Sequence, residues 1–501
     1  MGAYMFNMPG LVWKSVNGER RLVLRWKKRI NGKLKITKEI YIGDIDRLAH
    51  MIENPMKDMH VMSLDFGTTA FVRMVDRKIG LKDIVDSVMG HKGKGMSPGD
   101  YMLLFIMNRL SDPGSKNAIE RWMVNDYAST MFEKRGSQDF WNLMDRFTDA
   151  NMKDIQDRIR DKVMGLGYDF RNMFVDASNM YTFMEENEMA KKGHNKKHRY
   201  DLNQISYYIA ANYDYIPLYG ESYAGNMHDS KTFESITRNI PGNSTPIFDR
   251  GYNSKSNIDL IGDRNYIGAL KQSDHHDIMK LQVGNDSHIE LMRNVYGKNH
   301  RIILYHSSSL EKRKKESFMK RMEKVILKAK RIMDSGDSDA MERARIYLES
   351  ENLNETILLP SLETDQERMD EHLSMMGKNA IFTNIMDMDA DSVIDLYRKR
   401  NRVEHCFRTI NTMGIAFPVY HWTPHKIRVH MFFSIMAYLF LALIRIIIRP
   451  VIELYLTTVM EVISTIRIVY MTRGKSVSVR LSSGDERAQR IMERFDLAKM
   501  I

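Results

Sequence analysis

Polar and apolar positions change their spacing several times along the chain, and each change predicts a different kind of element. Across residues 11–42, β-rich stretches are separated by Asn17-Gly18 and Asn31-Gly32, dipeptides that favour tight hairpin turns, so a three-stranded antiparallel meander is expected. From about Leu81 to Gly165 the repeat becomes helical. Residues 101–110, 116–124 and 140–163 predict helices, with Ser97 as a cap, Pro98 at the first helical position, Asp100 in the first turn, and a turn at Asp112-Pro113-Gly114. Short apolar runs then signal strands at 173–175, 205–211, 216–223, 245–248 and 266–270, and again at 380–383. Between Lys271 and Lys378 lies a charged, mixed segment whose residues 311–331 carry ten cations and three anions and read as a basic amphipathic helix with a solvated face. Residues 390–410 are helical, 417–422 extended, and 427–469 a largely apolar helix interrupted at Pro450.

Composition narrows the classes of function. The 501 residues hold 75 Lys plus Arg against 64 Asp plus Glu, a net charge of +11 and a pI near 9.3, which excludes an acidic protein. A hydrophobic share of 43% with only 11 Pro fits a globular chain, and the length suits two to four domains. The single cysteine, Cys406, excludes an intramolecular disulfide, so a reducing, cytoplasmic location is expected. No signal-peptide series opens the sequence. The apolar run 431–444 ends at Arg445, short of the ~18 to 20 residues that cross a membrane, so a buried helix and no membrane partner are expected. The 40 methionines serve as flexible core filler.

The positive charge is concentrated. Lys14 to Lys38 contains ten cations against Glu19 alone, a ribbon suited to a phosphate backbone or to a solvated, lysine-protected edge. The glycine-rich stretch 90–95 lacks the Gly-Lys-Ser/Thr ending of a phosphate-binding loop and reads as a basic loop.

Two acids stand where acids are expensive. Asp176 follows Phe174-Val175 and Asp249 follows the run 245–248, each at the expected end of a strand, where a carboxylate can project into a crevice and bind a cation instead of lying unpaired inside a sheet. Asp249 leads into Arg250-Gly251-Tyr252-Asn253-Ser254, a turn that ends on a helix-capping serine. A third acid, Glu404, lies on the same helical face as Tyr397 and Arg400, while Val403, Phe407 and Ile410 form an adjoining apolar stripe that would seat the helix on a sheet.

With their flanks, these residues resemble the catalytic signature of DDE transposases of prokaryotic insertion sequences, in the subgroup marked by a Tyr-Arg-Glu-Lys helix. The likeness rests on Asp176 in Phe174-Val175-Asp176-Ala177-Ser178, on Asp249 in Asp249-Arg250-Gly251-Tyr252, and on the series Tyr397, Arg400, Glu404. It extends to His198-Arg199-Tyr200-Asp201-Leu202-Asn203-Gln204 and Pro418-Val419-Tyr420-His421-Trp422, and runs from about Met173 to Leu443. The chain departs from the signature at Asn411, where Lys is expected, and at Phe417, where Arg often stands.

The resemblance implies an α/β fold with a ribonuclease H-like core, a mixed five-stranded sheet flanked by helices. It also implies DNA transposition: metal-dependent strand cleavage at the ends of an insertion sequence and joining of 3′-hydroxyls to target DNA. Asp176, Asp249 and Glu404 would be the catalytic residues and the ligands of two Mg²⁺ ions, with Mn²⁺ as substitute. Hard carboxylate oxygens suit such ions, and a pair of them stabilises both the attacking and leaving oxygens of a phosphodiester. Tyr397, Arg400, Arg408, Asn411, Arg250 and Tyr252 would contact DNA. The partners implied are double-stranded DNA, as terminal inverted repeats and target, and a second copy of the chain on paired ends. The organisation expected is a basic β-meander at 1–50, a helical module at 51–168, the catalytic core at 169–271 and 379–445, an insertion at 272–378 and a C-terminal helical region at 446–501. A catalytically inactive transposase-derived DNA-binding protein and a metal-dependent nuclease without strand transfer use the same features. Other clusters carry less weight: Asp274-His275-His276-Asp277, His405-Cys406, the pair His425 and His430, and Asp201 and Asp214 as substitute acids all have structural explanations.

Overall fold

The computed structural model describes residues 10–16, 18–30, 33–53, 59–91, 95–134, 136–193, 201–419, 421–473 and 476–501. Asn17, Asn31-Gly32, residues 92–94 of the glycine-rich stretch, His198-Arg199-Tyr200 and Tyr420 lie outside the described residues. The chain forms two compact units, one drawn from residues 1–63 and 468–482 and the other from 64–467 and 483–501.

In the first unit, strands Gly10–Val16, Glu19–Ile30 and Lys33–Gly43 form the expected antiparallel meander. Glu39 holds two cations of the basic ribbon across strands, Lys14 at 2.7 Å and Arg25 at 2.6 Å. A second three-stranded sheet orders Ser476–Ser482, Arg467–Arg473 and Met59–Asp65. The C-terminal stretch is therefore not wholly helical, as expected for 446–501. The β-branched residues Ile468, Val469, Val477 and Val479 suit strands.

The second unit is built on an eight-stranded mixed sheet in the order His288–Val295, Lys298–His306, Lys378–Thr383, Ile267–Ala269, Thr245–Phe248, Asn172–Thr182, Asn203–Ala211, Pro217–Ala224. Thr245–Phe248 runs parallel to both of its neighbours, and every other pairing is antiparallel. Five strands were expected. The segment 272–378 is not separate from the sheet, because its hairpin 288–306 extends one edge. The rest of that segment has its own core, where Phe318, Met322 and Val325 of the basic helix Ser308–Met333 pack with Leu348, Ile357 and Met369.

Helix Asn401–Thr412 lies on the sheet through Val403, Phe407 and Ile410, all buried, as the stripe predicts. The helical module comprises Gly67–Ile79, Leu81–Met89, Pro98–Ser111, Lys116–Met123, Ser137–Met144 and Asp149–Met164. Ser97 and Asp100 form a reciprocal capping box. The single helix expected over 140–163 is two helices, because the Thr148 hydroxyl caps a new start by accepting from the Asn151 backbone N–H. Helix Pro424–Ile448 is long and apolar enough by length and composition to cross a membrane, but 89% of its most apolar window is buried inside the protein, packed against Pro98–Ser111 and Pro217–Ala224.

Candidate active site

The parallel ladder between Asn172–Thr182 and Thr245–Phe248 aligns Phe174 with Ile247 and Val175 with Phe248. The next residue on each strand is an acid, so Asp176 and Asp249 emerge side by side where this ladder opens. Asp249 ends its strand as expected. Its Oδ1 accepts from the Gly251 backbone N–H at 2.6 Å, which turns the chain into Arg250–Tyr252. Asp176 does not end its strand: the chain runs on to Thr182, paired on its other side with Asn203–Ala211, because the polar residues after Asp176 still complete that antiparallel ladder. The crevice comes from the shorter neighbour.

The third acid arrives through a broken helix. The helix expected over 390–410 is two, Ala390–Arg398 and Asn401–Thr412, with Arg400 between them. From that junction the Arg400 guanidinium donates to Asp176 Oδ2 at 3.1 Å and to Glu404 Oε1 at 3.3 Å. Asp176 and Arg400 are largely enclosed, whereas Glu404 faces solvent. Burial alone would depress the Arg400 pKa, yet the charges of Asp176, Tyr397, Asp249 and Glu404 together raise it. All three expected acids therefore act on one guanidinium.

A fourth acid, absent from the sequence reading, joins them. Asp229 Oδ1 accepts from the Tyr223 hydroxyl at 2.6 Å. A Cβ added at Gly251 would stand 3.0 Å from Asp249 Oδ1 and 3.9 Å from Asp229 Oδ2, so glycine is what lets the two carboxylates approach this turn. The Tyr252 hydroxyl is buried with no hydrogen-bond partner among the described residues, and its pKa is raised by burial and then by Tyr223, Asp176, Asp229 and Asp249. In the sequence, Asp229 follows a strand and precedes a short helix, a position that reads as a cap.

The remaining site residues divide. Tyr397 is half-buried with its ring 5.8 Å from the Arg400 guanidinium, and burial raises its hydroxyl pKa. Arg250 is exposed, and its charge reaches Tyr397. Tyr252, expected at DNA, is 1% exposed and packs on Phe233, because an aromatic ring beside the turn completes the core. Arg408 is exposed and Asn411 half-buried, and among the described residues neither bonds to an acid of the site.

The donor set fits divalent cations in chemistry, since carboxylates offer hard oxygens only. Arg400 bridges Asp176 and Glu404, and among the described residues no three His, Cys, Asp or Glu side chains stand together at ligand spacing, Asp274-His275-His276-Asp277 included. The other candidates have structural roles. Burial pushes the Cys406 thiol up to about 12, Asp214 is paired with Arg449 at 2.8 Å, Asp201 sits in an exposed turn, and His425 bonds to the Met144 carbonyl while His430 bonds elsewhere.

Residues 169–440 match the family model described as a transposase DDE domain. A cryo-EM structure of the piggyBac transposase synaptic complex with hairpin DNA is similar at 6% identity and a TM-score of 0.40, over 80% of each chain. No curated protein matches the chain.

Proposed function

The chain belongs to the transposase DDE-domain family, and we propose that it is an insertion-sequence transposase of the prokaryotic Tyr-Arg-Glu subgroup that cleaves DNA at the element's terminal inverted repeats and joins the 3′-hydroxyl ends to target DNA, as a homodimer on paired ends. The observation that carries this is the register that sets Asp176 beside Asp249, with Arg400 linking Asp176 to Glu404. A ribonuclease H-like core is supported by the order of five central strands, Pro217–Ala224, Asn203–Ala211, Asn172–Thr182, Thr245–Phe248, Ile267–Ala269, in which the first three are antiparallel and the last two parallel to the third.

Members of the family generally use divalent metal ions, and Mg²⁺ held by Asp176, Asp249 and Glu404 would supply an activated oxygen nucleophile and stabilise the leaving oxygen. The protein's own residues prepare that chemistry. The Gly251 N–H orients Asp249, the Ala177 N–H orients Asp176, and Arg400 holds Asp176 and Glu404 toward one another. The planar fork of Arg400 is suited to a DNA phosphate, which it would contact beside the acids.

Incubating the full chain with its element's end sequence and Mg²⁺ or Mn²⁺ tests the reading. Joined products are expected. Cleavage without joining would make it a nuclease, and retention of DNA without cutting a binding protein. Asp249→Ala is expected to lower cleavage by at least ~10³-fold while sparing DNA binding, measured by gel shift, because it removes charge stabilisation at the reacting centre.

A further inference from the structure

Apart from the acids, the helical module holds a cluster of opposite sign. The Lys116 ammonium lies 2.7 Å from His421 Nε2 and 3.0 Å from His430 Nδ1, over the face of Phe105. Arg109 stacks on the same ring and donates to the Phe417 carbonyl, and among the described residues its Nε has no partner. Among the described residues no carboxylate pairs with Lys116 or Arg109, and Lys426, whose charge also bears on His421, is already held by Asp145 at 2.9 Å. Burial, then the charge of Arg109, drives the Lys116 pKa well down, which expresses how poorly this ammonium is compensated.

The cluster opens into a cavity of about 370 Å³ lined by Lys116, Trp141, His421 and the first residues of two helices. Ser115, Lys116 and Asn117 begin one helix, and Ser137 and Gln138 begin the other. Neither start is capped by a side chain, so backbone N–H groups and both positive helix ends are available there. His421 is 4% exposed and, among the described residues, its Nδ1 has no partner. Its Nε2 accepts from Lys116, so the proton of the neutral ring sits on Nδ1.

We propose that this cavity is a phosphate-binding site, taking one phosphate mono- or diester oxyanion between the Lys116 ammonium and the N–H groups of the two helix starts, beside His421. The chemistry is that of anion sites at helix N-termini, strengthened by a lysine that lacks a carboxylate. The site goes beyond the strand-transfer reading and does not depend on it. The oxyanion comes either from a DNA backbone or from a free phosphate compound.

Thermal unfolding of the full chain at constant ionic strength, with inorganic phosphate replacing chloride, tests it. The wild type is expected to gain roughly 2 °C at phosphate ten times its dissociation constant, and Lys116→Met to lose the gain. Ser137→Glu, which puts a carboxylate at a half-buried helix start where a negative charge favours the fold, should also abolish the response. Should Lys116→Met fail to fold, Ser137→Glu decides alone. A 20-nucleotide DNA duplex identifies the source. For a backbone phosphate, saturating duplex erases the phosphate response, and both variants bind DNA about 5-fold more weakly with a log–log salt slope shallower by roughly one. For a free phosphate compound, the duplex leaves the response intact. An equal phosphate response in all three proteins, or none in the wild type together with unchanged DNA affinity in the variants, overturns the proposal.

Discussion

The crevice around Arg400 and the cavity around Lys116 handle charge in opposite ways. At Arg400 carboxylates gather round a guanidinium, so the buried cation has its counter-charges within the chain. At Lys116 the neighbours are two neutral imidazoles, an aromatic face and a second cation. A buried charge held by good partners is costly to orphan, whereas one without a counter-ion is a cost the fold already bears. The same kind of substitution, cation to apolar residue, should therefore act with opposite sign at the two places.

Arg400→Leu is expected to have the largest effect on stability, a loss of about 3 kcal/mol in chemical denaturation, since it removes the guanidinium that joins the enclosed Asp176 to Glu404. Arg400→Lys should recover part of this loss, because an ammonium keeps the charge but not the fork. Lys116→Met should instead leave stability unchanged or raise it by about 1 to 2 kcal/mol in phosphate-free buffer, as a desolvated charge is removed. A loss as large as that of Arg400→Leu would erase the contrast. A smaller effect concerns Asp126, whose carboxyl is pushed up to about 6, mainly by burial, against 3.8 ordinarily. An acid whose folded value is raised adds stability at low pH, and that increment disappears as pH rises through about 6. Asp126→Asn should flatten this part of the stability profile, removing roughly 1 to 3 kcal/mol of change between pH 4 and 7.

What could be read from the sequence was local. The meander, the capping box at Ser97, the stripe Val403, Phe407 and Ile410, and a strand leading into Asp249 each follow from neighbours a few residues apart, and each is present. The order of Asp176, Asp249 and Glu404 along the chain suggested that they meet, but only the parallel register between two strands some seventy residues apart brings the aspartates side by side. Asp229 escaped notice because a lone acid before a short helix is indistinguishable from a cap until Gly251 is folded beside it. The edge strand His288–Val295 escaped for another reason: it is half-exposed and carries Glu290 and Arg293, so it lacks an apolar alternation. Lys116 reads as an ordinary first residue of a helix, and its setting depends on His421 and His430, about 300 residues later.

The first unit is assembled from two segments far apart in the sequence, with Met59–Asp65 forming the edge of a sheet whose other two strands come from 467–482. During synthesis some four hundred residues must leave the ribosome before those partners appear. Until then the strand 59–65 exposes an unpaired edge, so nascent chains stalled short of residue 482 should be more prone to aggregation than the finished protein.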